Sequence, residues 1–308
     1  MSVVDALRPF RHPALFYRGD SEYLDGVIPF LLDGLDRGEP AAVAVPGPNL
    51  LLIEKALEDR APEVRLIDMH RAGRNPGAIL PSVLLAFAGE HPGPVRIVGE
   101  PIWAGRSDVE YPACVQHEAL INDAFAGRDL AVLCPYDIAA LPPGVLADAE
   151  RTHPEVWGPA GSFDSARFDP DGVRADFTRP LDPPATAVER GFDLGQLASL
   201  RGFAEIWAAR HGLRRPRRDD FALAVAELTT NSILYGGGEG VLRLWAEDGQ
   251  VVGEVTDTGT ITHPLAGRVP PDATTLGGRG LLLVNRLADL VRTYWVPGRT
   301  TTRAYFHC

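Results

Sequence analysis

Short apolar runs alternate with longer amphipathic stretches through the first half of the chain. Residues 14–17 are followed by 21–37, 41–45 by 49–60, 64–69 by 76–90 and 95–99 by 111–126, before a last apolar run at 130–134. Five strands alternating with helices predict right-handed crossovers and a parallel sheet covered on both faces. The boundaries agree: Gly19-Asp20-Ser21 offers an N-cap, and Gly38 followed by Pro40 a helix stop.

Between residues 155 and 186 the periodicity is lost, because Gly158, Pro159, Gly161, Pro170, Gly172, Pro180, Pro183 and Pro184 interrupt every pattern. This stretch reads as a connecting segment with one short helical piece at 172–177 and an extended exit. The style then changes. Helices at 194–210 and 219–234 precede strands at 241–246 and 251–256, a long loop, a helix at 280–290 and a final strand pair at 291–296 and 301–306. Helices with an antiparallel or mixed sheet in that order predict a two-layer α/β sandwich.

At 308 residues and 45% hydrophobic content the chain supports two cores. The net charge of −11 is unevenly spread. Up to the prolines near residue 185 there are 16 basic and 28 acidic residues, and beyond them 14 and 13. An acidic surface repels phosphate backbones, so the first half is not expected to bind nucleic acid. The cluster Arg214, Arg215, Arg217 and Arg218 reads as a solvated helix start. Lys55 is the only lysine, so any phosphate contact in the second half must use arginine or backbone amides. Three cysteines without disulfide or metal spacing, no apolar run long enough for a membrane and no signal-peptide core point to the cytoplasm.

In parallel sheets ligands sit beyond the carboxyl ends of the strands. The loops there carry His70, Glu100, Trp103, Tyr136 and Asp137, and the loop at 45–49 lacks the Gly-Lys-Ser/Thr of a phosphate cradle. Cys114 and His117 lie three apart on a predicted helix, but two ligands without a second such pair do not make a metal site.

The second half carries the chemistry. Glu227 and Asn231 are four apart on one helix face. They offer a general base beside a hard oxygen ligand. The strand at 251–256 runs into Asp257-Thr258-Gly259, and Gly277-Gly278-Arg279-Gly280 opens a helix. An aspartate at a strand end accepts a hydrogen bond from an exocyclic amine, and Gly259 lets a planar base approach the backbone. A glycine turn at a helix start presents free amides to phosphates, with Arg279 adding charge. An adenine nucleotide with magnesium needs such a set.

The ordered motifs AELTTNS (226–232), DTG (257–259) and GGRGL (277–281) resemble the GHKL (Bergerat) ATPase domain shared by gyrase, Hsp90, histidine kinases and MutL, in the compact form of the RsbW-type anti-sigma-factor serine kinases. The resemblance implies Glu227 as general base, Asn231 as magnesium ligand, Asp257 as adenine reader with Gly259 beside it, and Gly278, Arg279 and Gly280 at the phosphates. It departs at Ile261, where a second glycine is common, and at Tyr235, where a histidine often stands. A second resemblance is carried by HPALFYRGDSEYLDGVIPFL, EPIWAGRS and HEALIN, which are similar to the MEDS (DcmR-type) sensory domain, a RecA-like fold without its nucleotide loop. The implied organisation is a sensory domain at 10–182, a linker at 183–187 and an ATPase domain at 188–308, as in RsbA-family anti-sigma regulators.

These resemblances imply a cytoplasmic regulator that binds Mg-ATP and phosphorylates a serine or threonine of an anti-sigma-factor antagonist, switching partners with a sigma factor under control of a small-molecule or protein signal. Homodimerisation is compatible with this reading; nucleic acid and membrane are not expected partners. Two alternatives use the same residues: a non-catalytic, nucleotide-dependent binding module for a sigma factor or antagonist, and a true sensor histidine kinase.

Overall fold

The apolar runs of the first half become strands of one sheet. The computed structural model describes residues 10–271 and 278–308, and the chain divides into two units between Phe177 and Thr178. The first contains β1 (Phe10–Arg11), β2 (Pro13–Tyr17), α1 (Gly19–Asp36), β3 (Ala41–Val45), α2 (Gly47–Leu57), β4 (Val64–Asp68), α3 (Met69–Ala72), α4 (Pro76–Ile79), α5 (Leu85–Gly89) and β5 (Val95–Gly99). It continues with α6 (Tyr111–Ala124), β6 (Leu130–Asp137), α7 (Pro143–Thr152), β7 (Glu155–Gly158), β8 (Gly161–Asp164) and α8 (Pro170–Phe177). The strand order is β4-β3-β5-β6-β2-β7-β8, with β1 also on β6. Every pairing is parallel except β7 with β8. All five residues of β3 are buried, the mark of a strand covered on both faces. Leu31, Val43, Ile53 and Leu133 pack in the same core.

Three local features differ from the sequence expectation. Helix α1 begins at Gly19 rather than after Ser21, with no side-chain cap from its N-cap residue; Glu22 instead accepts the Arg18 N–H at 2.7 Å. The stretch expected as one helix from 76 to 90 passes through a π-helical turn at Leu80–Leu84, where Pro81 has no N–H to continue the α-helical ladder. Strands β7 and β8 lie in the segment expected to be irregular. Each is only four residues long, and β7 is held by tertiary contacts: pairing with β2 and an Arg11–Glu155 ion pair at 2.9 Å.

The second unit contains β9 (Val188–Asp193), α9 (Leu197–Arg210), α10 (Arg217–Tyr235), β10 (Glu239–Glu247), β11 (Gln250–Asp257), α11 (Gly280–Leu287), β12 (Leu290–Val296) and β13 (Arg299–His307). Its sheet is antiparallel, in the order β12-β13-β11-β10-β9. Phe221, Val225 and Leu228 of α10, Trp207 of α9 and Val284 of α11 bury against Leu242, Leu244, Val251, Val255 and Phe306 of the sheet. This is the two-layer sandwich the pattern predicts, with β9 added at an edge. On the opposite face of β11, Glu254 is wholly buried and accepts from Arg303 Nη2 at 2.6 Å and Nε at 2.8 Å.

The arginine cluster at the start of α10 is ion-paired: Arg217 with Asp289 at 2.6 Å, Arg215 with Asp219 at 3.2 Å and Arg218 with Glu205 at 3.4 Å. Among the described residues no helix is long and apolar enough to cross a membrane.

Candidate nucleotide site

Three elements of the second unit converge on one cavity. Helix α10 carries Glu227 and Asn231 one turn apart, and its outward face is free of core duty because Phe221, Val225 and Leu228 take the sheet side. Strand β11 delivers Asp257 at its end. Helix α11 starts at Gly280, with Arg279 as its N-cap residue.

The Asp257 carboxylate is oriented by two donors. Ser232 Oγ donates to Oδ2 at 2.6 Å, and the Gly259 N–H donates to Oδ1 at 2.9 Å. Beyond Asp257 the chain closes on the end of α10: Thr258 donates both its N–H and its hydroxyl to Gly236 O, at 3.1 and 3.0 Å. That approach requires glycine. A methyl carbon at Gly259 would lie 2.8 Å from Tyr235 O and 2.9 Å from Gly236 Cα, both backbone atoms.

The other close approach joins the helices. A methyl carbon at Gly280 would sit 2.8 Å from Glu227 Oε2 and 3.2 Å from both amide atoms of Asn231. The backbone opening α11 therefore lies directly against the carboxylate and carboxamide.

The cavity has a volume of about 620 Å³, within the range of small-molecule sites. Asn231, Asp257, Gly259, Gly278 and Gly280 line it. Of the other residues singled out from the sequence, Glu227 reaches Gly280 rather than the cavity wall, and the Arg279 residue is exposed. Gly277 lies outside the described residues. Sequence reasoning missed Ser232, whose role depends on the fold, and Thr300 and Thr302, which line the cavity from β13. The run Thr300-Thr301-Thr302 in the terminal strand is the signal that could have marked them.

Cavity-lining oxygens at Asn231, Asp257 and the threonines suit a hard cation and a polar ligand, while Leu228, Val255, Ile261 and Leu281 supply an apolar floor for a planar ring.

In the first unit the loop after β3 joins two of the strand-end residues, His70 through Gly47 and Glu100 through Asn49. Glu100 is buried and accepts from Asn49 Nδ2 at 2.8 Å; burial pushes its carboxyl up to about 8, against the lowering effect of that hydrogen bond. His70 Nδ1 accepts from the Gly47 N–H at 3.3 Å, and its ring meets the Trp103 edge, centroids 5.2 Å apart. Tyr136 is buried against His153 instead of facing the loops, and Asp137 accepts from the Ala139 N–H at 2.9 Å. A cavity of about 870 Å³ in this unit runs along α1 past Arg96 and Trp157 and is lined by none of these five.

The fold defines a chain of two parts, a mostly parallel sheet with helices between its strands and a two-layer α/β sandwich with an antiparallel sheet. Residues 11–154 match the MEDS family, the methanogen/methylotroph, DcmR sensory domain, and residues 192–306 match the histidine kinase-like ATPase domain. The chain is therefore a MEDS domain joined to a histidine kinase-like ATPase domain, as both sequence resemblances indicate. No curated protein matches it. Similar solved structures include the RsbU and RsbW domains of Rv1364c from Mycobacterium tuberculosis, at 19% identity and a TM-score of 0.31 over 40% of this chain and 33% of that one. Another is the SiaB–SiaC complex from Pseudomonas aeruginosa, at 11% identity and a TM-score of 0.32 over 40% of this chain and 89% of that one. The chain thus spans about a third of the length of the first.

Proposed function

We propose that the second unit binds Mg-ATP in the cavity between α10, β11 and α11 and transfers the terminal phosphoryl group to a serine or threonine of an anti-sigma-factor antagonist, under control of the first unit. The observation that carries this reading is the packing of Gly280 against Glu227 and Asn231, which sets a base and a metal-ligating carboxamide beside the free amides of a helix start. The match to the histidine kinase-like ATPase domain supports nucleotide binding. The domain division follows the reading above, with the linker at 183–187.

In this reading Asp257, held by Ser232 and Gly259, accepts a hydrogen bond from the adenine amine, and Gly259 leaves room for the ring. Gly278, Arg279 and Gly280 hold the phosphates. Asn231 Oδ1 would hold magnesium, which supplies charge neutralisation at the phosphates. Glu227 accepts the proton of the partner's hydroxyl as that oxygen bonds to the terminal phosphorus and the bridging bond breaks, releasing ADP. The partner is an antagonist protein, with a sigma factor as its competitor.

Ile261, on the cavity wall where related sequences often carry a second glycine, favours a second reading, a nucleotide-dependent binding module without transfer. Incubation of the full chain with terminally labelled ATP, magnesium and serine-bearing antagonists separates the two. Label on the antagonist is the expected result; retained ATP binding with no label transferred selects the binding module, and an acid-labile phosphate on the chain itself selects a histidine kinase.

A further inference from the structure

Four side chains distant in sequence meet inside the first unit. His12 immediately precedes β2, Cys134 lies in β6, His153 ends α7 just before β7, and Glu118 comes from α6. Because β2 lies between β6 and β7, the sheet itself gathers the first three. All four are buried, and one donor atom from each lies within 4.8 Å of the others.

The tautomers of both imidazoles follow from their outer partners. Asn122 Nδ2 donates to three backbone carbonyls, the shortest to Thr152 O at 2.8 Å, so its Oδ1 faces His12 Nδ1 at 3.2 Å and must accept. His153 Nδ1 donates to Ala149 O at 2.8 Å. In neutral rings both Nε2 atoms then carry lone pairs, and both point at Glu118 Oε2, at 3.3 Å from His12 and 3.4 Å from His153. Lone pairs facing a carboxylate in a dry interior repel one another unless a proton or a metal ion lies between them. Glu118 Oε1 and His153 Nε2 have no hydrogen-bond partner among the described residues.

Four of the six ligand–ligand spacings suit one small cation. Tetrahedral zinc with N and O donors has ligand–ligand edges of about 3.3–3.4 Å, and edges to sulfur of about 3.5–3.6 Å. The carboxylate–imidazole edges are 3.3 and 3.4 Å, and Cys134 Sγ lies 3.4 Å from His12 Nε2 and 3.5 Å from Glu118 Oε2. A thiolate and a carboxylate with two neutral imidazoles also neutralise a divalent ion, leaving no net charge in the core. Outward hydrogen bonds from both Nδ1 atoms are the usual support of metal-ligating histidines.

We propose that His12, Glu118, Cys134 and His153 form a closed, four-coordinate site for a divalent transition metal of the zinc class. With four protein ligands and no open position, the ion ties α6 to the three strands rather than acting on a substrate. The lone Cys114–His117 pair considered from sequence is not this site; the ligand next to it is Glu118.

The full chain, purified without chelator, tests this by elemental analysis and by replacement with Co²⁺. One equivalent of zinc or its congener per chain is expected, and the Co²⁺ form should show a thiolate-to-cobalt charge-transfer band with tetrahedral visible bands. Magnesium at an oxygen site gives neither. C134S should remove the charge-transfer band, whereas C114S and C308S retain it. N122A, which touches no metal, should weaken metal binding about 10- to 100-fold. Wild-type protein that takes up no Co²⁺ in a tetrahedral thiolate site, or a band that survives C134S, overturns the proposal; the first outcome needs no variant to fold.

Discussion

Ser232 Oγ donates to Asp257 Oδ2 at 2.6 Å, tying the last turn of α10 to the end of β11. The bond fixes the direction of a carboxylate that lines the cavity. In the proposed function that is the property an adenine-reading carboxylate needs. D257N presents a donor where the adenine amine needs an acceptor, and a hydrogen bond to a charged group contributes about 1.5–3 kcal/mol. Calorimetry should show ATP affinity lowered roughly 10- to 100-fold, with S232A causing a smaller loss because the acceptor remains. Unchanged affinity in D257N would remove Asp257 from the site.

Glu227 and Asn231 should separate kinetically. E227Q is expected to abolish phosphoryl transfer while leaving Mg-ATP affinity close to wild type, since Glu227 reaches Gly280 rather than the cavity wall. N231A should weaken nucleotide binding with magnesium present and have little effect when magnesium is chelated. Transfer at the wild-type rate by E227Q would contradict the role given to Glu227.

Gly259 tests the close approach between strand end and helix end. In G259A the added methyl meets Tyr235 O and Gly236 Cα at 2.8 and 2.9 Å. Neither is a flexible side chain, so the backbone must shift, at a cost of about 1–3 kcal/mol. Thermal unfolding should register that loss, and ATP affinity should fall with it.

Glu100 gives the first unit a pH dependence. Its carboxyl, pushed up to about 8 by burial, takes a proton on folding where the unfolded chain is already ionised. The unfolded state therefore binds fewer protons between its ordinary carboxyl value and about 8, so stability falls as pH rises across that window and levels off above it. Melting curves for wild type and E100Q should diverge there, the variant lacking this slope. Parallel curves would show that Glu100 is not held protonated.

The Glu254–Arg303 pair should matter through what remains when it is broken. Replacing Arg303 by methionine leaves a buried carboxylate without its main partner, a change that typically costs about 3–5 kcal/mol. Denaturant unfolding of R303M should show this, with E254Q/R303M recovering part of the loss. Glu254 also has Arg243 Nη1 at 3.4 Å, which limits the damage.

Much of the fold was legible because it rests on local pattern. The run at 41–45 is apolar at every position and became the doubly covered β3, and the period of α10 put Val225 and Leu228 on the core side, away from Glu227 and Asn231. Glycines at 259 and 280 marked close approaches, since only the absence of a Cβ allows backbone to touch those neighbours. Elements whose stability comes from distant partners escaped: β7 and β8 are four residues each and gain their order from pairing.

The sites divide in the same way. The order of three motifs along the chain, each carrying its own local chemistry, was enough to propose a nucleotide site and the residues in it. Tertiary structure decided which groups meet: that Ser232 holds Asp257, that Thr300 and Thr302 complete the cavity, and that Glu227 reaches Gly280. It alone brought together His12, Glu118, Cys134 and His153, because strand order in a sheet, not spacing in the chain, sets which residues become neighbours.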